Sequence, residues 1–314
     1  MNENLKKLKD FKEKKYGESI NNISEECYQI SLNLLKLITK DVELFLTYNK
    51  TVQFEFENLL GQYLEVEVSE NGYNIWGENT EINYKDDGIF FKKDKLYEVI
   101  NHIKIFFNGF PKNSVLFTGA FNPPTIAHYH MIDSALNNNN FDYVIFALSN
   151  QRFLDKKQNK INDYSYSEKQ RLNMILSMTY KNDNVLIFGI EQGYTYEVLC
   201  AVKEKYNLES LYFAMGSDKL NEIQKWGFHN KLLKEFCFYT LIRGSDNKED
   251  VVSKCSTIFK NTKFVIGYDN HKFKNISATK VRNCIKNKKN FSNLVHHKVE
   301  EYLKNIHNLE YKND

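Results

Sequence analysis

Two short stretches carry residue types suited to holding an anion. The first, FTGAFNPPTIAHYH, runs from Phe117 to His130. Gly119 allows close approach of backbone to a ligand. Pro123 and Pro124, two of only three prolines in the chain, hold the loop extended and lack N–H groups. Thr125 can cap a following helix, which puts His128 in its first turn. Unbonded N–H groups and the helix dipole favour negative charge there, and an imidazole can donate to phosphate oxygens. The second stretch, NISATKVRNCIKN, runs from Asn275 to Asn287. Ser277 and Thr279 bring hydroxyls to a helix start, and Arg282 follows Thr279 by one turn. Hydroxyls, free N–H groups and a guanidinium again suit an anion. Each stretch alone also fits something plainer: a glycine-proline turn beside a histidine, or an N-capped helix with a surface arginine. Neither has the spacing of a GxGxxG or Walker loop.

The elements around these stretches are legible from hydrophobic pattern. From Ser114 onward, SVLFTG, YVIFAL, NVLIFG, LYFAMG, FCFYTLI and KFVIG read as strands. Helical periods such as AHYHMIDSAL, SEKQRLNMILSM and TYEVLCAVKEKY fill the gaps. Strands apolar on both faces that alternate with helices predict a mostly parallel sheet covered on both sides. Such sheets bind ligands beyond the carboxyl ends of their strands, which is where Gly119 falls. The last segment, NLVHHKVEEYLKNI, places Val295, Val299, Tyr302, Leu303 and Ile306 on one helical face.

Residues 1 to about 110 read differently. ISEECYQISLNLLKLITKDVELFL has a helical period, with Ser24 as its cap. TVQFEFENLLGQYLEVEVSENGYNIWGENTEINYKDDGIFF alternates apolar and polar residues. Its turn signals at Glu70-Asn71-Gly72 and Asp86-Asp87-Gly88 predict an antiparallel sheet of three or four strands. KLYEVINHIKIFF returns to a helical period. The pattern changes at Gly109-Phe110-Pro111, so two domains are expected, 1–110 and 111–314. The first contains acidic residues and Trp76 but no ligand or nucleophile constellation; the isolated His102 reads as a structural or surface residue.

Composition excludes several classes. A net charge of +3 over 314 residues gives no clustered basic field for nucleic acid. Five cysteines without a CxxC spacing argue against a zinc or disulfide framework and for a reducing, cytoplasmic setting. The N-terminus lacks an apolar signal region, and no run reaches 18 apolar residues, so no membrane association is expected.

Together the two anion stretches resemble the adenylyltransferase superfamily. GAFNPPTIAH is similar to its (T/H)xxH signature, with threonine in the first position, and ISATKVR to its SxTxxR signature. SEKQRLNMI, YTYEVL, MGSDKLNEIQKW and LIRG resemble segments of the nicotinate- or nicotinamide-mononucleotide adenylyltransferases. Ala127 replaces the usual glycine or methionine, and SNQRFLDKKQNK lacks the family's Pro-His-Lys pattern. The resemblance implies an α/β fold: a Rossmann-like parallel-sheet nucleotidyltransferase domain preceded by a small α+β domain. It implies transfer of AMP from ATP to a pyridine mononucleotide, with release of pyrophosphate. The attacking phosphate oxygen is already anionic, so alignment and charge stabilisation suffice without a general base. His128 and Arg282 are the implied catalytic residues. Gly119, Ala120, Phe121, Thr125, Lys156, Gly216, Asp218, Ser277 and Thr279 join them in the ATP site. Asn122, Thr195, Trp226 and Arg243 are implied for the mononucleotide. Magnesium is expected on the ATP phosphates, without a protein cage. An adenylyltransferase with another phosphate-bearing acceptor and a non-catalytic nucleotide sensor stay open as alternatives, as does homo-oligomerisation.

Overall fold

A computed structural model describes residues 2–13, 22–137, 141–151, 165–190, 193–242, 246–268, 273 and 275–308. The chain divides into two compact units, Met1–Phe110 and Pro111–Asp314.

The first unit is an antiparallel sheet with helices. After α1 (Asn2–Glu13) and α2 (Glu25–Leu35) come five strands in sequential order: β1 (Glu43–Leu46), β2 (Val52–Glu57), β3 (Tyr63–Val68), β4 (Gly72–Asn79) and β5 (Tyr84–Lys92). The helix α3 (Leu96–Asn108) follows. Ser24 caps α2 by accepting from the Cys27 N–H at 3.1 Å. Alternation sends Phe54, Phe56, Leu64, Val66, Val68 and Ile75 inward, where α3 buries Val99, Ile103 and Phe106. The opposite face carries Gln53, Glu55, Glu65 and Glu67.

Two expectations for this unit fail. The helical period from Ile23 to Leu46 is not one helix. It stops at Leu35, and Glu43–Leu46 pairs with β2 as a fifth strand. A run of apolar residues this short suits either period, and strand pairing decides it. The Asp86-Asp87-Gly88 signal is not a turn either. It lies inside β5, where the register with β4 shifts between Ile75 and Trp76. Gly88 takes φ +89°, as a bulge requires. A Cβ there would meet the Trp76 ring at 2.7 Å.

The second unit is a six-stranded parallel sheet: β6 (Asn113–Gly119), β7 (Tyr143–Leu148), β8 (Val185–Ile190), β9 (Ser210–Gly216), β10 (Cys237–Ile242) and β11 (Phe264–Tyr268). All six expected strands are present. Their spatial order is β11-β10-β9-β6-β7-β8, so the winding direction reverses between β6 and β9. The helices between them are α4 (Ile126–Asn137), α5 (Glu168–Thr179), α6 (Thr195–Lys205), α7 (His229–Glu235) and α8 (Lys248–Ile258). Two more, α9 (Ala278–Lys286) and α10 (His297–His307), follow β11. Every residue of β7 is buried, as a strand covered on both faces demands. Phe117 stacks on Phe146 at 5.8 Å and Phe238 on Phe259 at 4.1 Å.

Candidate active site at the sheet reversal

The carboxyl ends of β6 and β9 lie side by side where the strand order reverses. In open α/β sheets this is the position of the ligand crevice. Gly119 ends β6 and Gly216 ends β9.

After β6 the chain turns through Ala120, Phe121 and Asn122, then through a cis Asn122–Pro123 peptide, into α4. Phe121 has φ +44°, a left-handed conformation unusual for a bulky residue. Its ring packs edge-on against Phe146 at 5.2 Å and His128 at 5.0 Å. A Cβ on Gly119 would come within 3.3 Å of that ring, so the glycine also makes room for Phe121. Thr125 stands just before α4, but its hydroxyl does not cap a backbone N–H. It lies 2.9 Å from Nδ1 of His128, and the Thr125 N–H donates to the same nitrogen at 2.9 Å. This fixes the Nδ1 side of the imidazole.

Three carbonyls along the turn, of Gly119, Ala120 and Asn122, have donors on the protein side. The Ser149 N–H donates to Gly119 O at 2.8 Å. Nη1 of Arg171 donates to Ala120 O at 2.8 Å. Nη1 of Arg282 donates to Asn122 O at 2.6 Å. The Asn122 side chain, 2% exposed, accepts from the Tyr166 N–H at 3.0 Å. That bond sets its amide orientation, and its buried Nδ2 has no partner among the described residues.

The bond from Arg282 to Asn122 joins the two sequence stretches, 160 residues apart. Arg282 sits on α9, is 8% exposed, and also donates from Nη2 to Thr279 Oγ1 at 3.1 Å. Ser277 caps α9 by accepting from the Lys280 N–H at 3.2 Å. Its hydroxyl and the exposed Thr279 therefore lie at a helix N-terminus beside the loop.

The remaining expected residues fall around the same edge. Gly216 precedes a short 3-10 helix, Ser217–Lys225, and Asp218 is exposed in its first turn. Ser217 donates to Asp246 at 2.6 Å. Thr195 opens α6 after β8, with Glu197 accepting from the Tyr194 N–H at 2.8 Å. Trp226 is half-buried, edge-on to Phe213 at 5.8 Å. The Thr195 and Trp226 segments meet: the Tyr194 ring lies over Gly227 and is edge-on to Phe228 at 5.4 Å. Lys156 and Arg243 lie outside the described residues. Among the described residues no three His, Cys, Asp or Glu side chains converge as a metal site, and no helix is long and apolar enough to cross a membrane.

Two other histidines of this unit, His130 and His296, pack against aromatic rings. His130 stacks on Phe273 at 4.1 Å and Tyr129 lies 4.7 Å from His296. Burial, then the neighbouring His297, Lys181 and Lys298, push the His296 imidazole down to about 4.

Arg171 is absent from the expected site residues. The signal for it was present: Arg171, Met174, Ile175 and Met178 share one buried stripe of α5, and an arginine in an apolar stripe needs a partner.

A family model described as cytidylyltransferase-like matches residues 116–284, more than half of the chain, and the chain belongs to that family. Among its curated relatives is a protein of Fusobacterium nucleatum, 28% identical over 194 residues, spanning 60% of this chain and 95% of the relative. Another, from Staphylococcus epidermidis, is 29% identical over 199 residues, spanning 62% and 95%. Both are named "probable nicotinate-nucleotide adenylyltransferase". The solved Plasmodium falciparum nicotinic acid mononucleotide adenylyltransferase complexed with NaAD superposes with a TM-score of 0.50 at 20% identity. It covers 63% of this chain and 98% of that one, a likeness of fold.

Proposed function

We propose that the second unit is a nucleotidyltransferase that moves AMP from ATP to nicotinate mononucleotide, giving the dinucleotide and pyrophosphate. The convergence of the 117–130 and 275–284 stretches through Arg282 and Asn122 carries this reading. The names of the relatives supply the acceptor. A mononucleotide phosphate oxygen attacks the α-phosphorus of ATP, and the bond to the β-phosphate oxygen breaks. The nucleophile needs no base, so the site's task is alignment and charge stabilisation.

His128 acts at the α-phosphate from its Nε2 side, since Thr125 occupies Nδ1. Gly119, Ala120 and Phe121 offer backbone to the nucleotide. Ser277, Thr279, Arg282 and Lys156 hold the β- and γ-phosphates, and Gly216 with Asp218 meets the adenosine ribose. Asn122, Thr195, Trp226 and Arg243 shape the mononucleotide site. ATP enters as its magnesium complex, the metal carried on the phosphates and lowering their charge. Pyrophosphate release, measured with ATP and each of nicotinate and nicotinamide mononucleotide, tests the reading. Turnover with the nicotinate form is expected. No pyrophosphate with either overturns it.

A further inference from the structure

We infer that Arg171 is a positioning residue that shapes residues 119–122 into an anion cradle. The inference deepens the proposed adenylyl transfer and rests on it. Arg171 is wholly buried at 0% exposure. A buried guanidinium is costly unless its donors find acceptors. Met174 and Met178 on the same stripe show what would fill the space. Nη1 of Arg171 itself donates to the Ala120 carbonyl at 2.8 Å.

The consequence follows from peptide geometry. In a trans peptide the C=O and the N–H point in opposite directions. Arg171 draws the Ala120 carbonyl inward, so the Phe121 N–H points away from Arg171. Ser149 draws in the Gly119 carbonyl in the same way, so the Ala120 N–H is also turned from its donor. Neither N–H has an acceptor among the described residues. Two unpaired N–H groups beside a left-handed residue, Phe121 at φ +44°, are the elements of an anion-binding turn. Its occupant is a phosphate group of the nucleotide. Arg171 thus acts without touching substrate. It fixes the peptide plane, and its buried charge is weakly screened by solvent.

The test uses the full chain with Arg171→Met and Arg171→Lys. Binding of ATP and of adenosine is followed by calorimetry, together with turnover and thermal unfolding. Arg171→Met is expected to fold with a lowered melting temperature and to keep its adenosine affinity while losing tenfold or more in ATP affinity and in kcat/KM for ATP. The KM for the mononucleotide should stay within twofold, and Arg171→Lys should recover part of the loss. ATP binding and turnover within twofold of the parent in Arg171→Met overturn the inference. If that variant does not fold, Arg171→Lys decides: a fivefold loss in ATP affinity at unchanged adenosine affinity supports it, and no loss overturns it. A parent protein that binds ATP but makes no dinucleotide overturns the proposed function alone.

Discussion

The two units use opposite solutions to burying a sheet, and their charges differ as much as their folds. The first has 14 lysines, no arginine and 19 carboxylates, a net of −5; the second has 29 basic and 21 acidic residues, a net of +8. All four arginines, Arg152, Arg171, Arg243 and Arg282, belong to the second unit. Lysine is a hydrated point charge, whereas the guanidinium fork recognises planar oxygen pairs and tolerates burial. The arginines Arg171 and Arg282 both sit within the core of the candidate site. The first unit puts its buried polar chemistry to a different use. Asp86, 7% exposed, accepts from His102 at 2.7 Å and from Tyr84. Burial alone would raise the Asp86 carboxyl, but the hydrogen bond and charge of His102, with the bond from Tyr84, hold it below the usual carboxylate range. The three side chains bond to one another, and His102 packs against Phe91 at 5.2 Å. A closed cluster of this kind stabilises a fold; a cradle with unpaired N–H groups binds something.

That contrast can be broken by three measurements. The largest effect is expected from His128→Ala in the second unit. Loss of one preorganised donor costs about 3 kcal/mol in transition-state stabilisation, so turnover should fall by roughly a hundredfold with the melting curve unchanged. Full dinucleotide synthesis by the variant would remove His128 from the mechanism. In the first unit, Asp86→Asn should do the reverse. It removes a charged hydrogen-bond acceptor and should cost about 2 kcal/mol of stability, read by urea unfolding. Pyrophosphate release by the folded protein should stay within twofold; a large loss of turnover would give the first unit a part in catalysis.

The smallest effect is one of pH. His296 in the second unit is held down to about 4, below the value of about 6.5 for an unfolded histidine. The unfolded chain therefore takes up its proton first as pH falls. The stability of the second unit should decline between about pH 6.5 and about pH 4. The contribution of Asp86 to the first unit is present above its ordinary value and lost only below it, as pH falls through the depressed folded value. The second unit should thus weaken at a higher pH than the first. Trp76 and Trp226 lie one in each unit, so single Trp→Phe variants report the two acid transitions separately. Coincident transitions, or earlier loss in the first unit, would overturn the ordering.

Much of this was legible in the residues. Six strands of the parallel sheet could be read because each carries a continuous apolar run, which admits few other placements. The two signature stretches could be read because helix caps, hydroxyls and arginine have local meanings. The first unit resisted at two places. Glu43–Leu46 continues a helical period in sequence, and only pairing with β2 makes it a strand. Asp86-Asp87-Gly88 has turn chemistry, yet the actual β4–β5 reversal uses Thr80–Asn83, with Asn79 capping Glu81 at 3.2 Å. A bulge and a turn both ask for a glycine at positive φ, so local sequence does not separate them.

What the sequence by itself determined is the inventory: which residues can donate to phosphate, which runs must be buried, and where the pattern changes near residue 110. Those follow from side-chain chemistry and from periodicity, which are local properties. The tertiary structure alone decided which groups meet. Arg282 reaches Asn122 across 160 residues of chain, and Arg171 reaches Ala120 across 51. Such contacts depend on strand order and on the direction of peptide planes. No local pattern encodes either, because both are settled by how the sheet assembles.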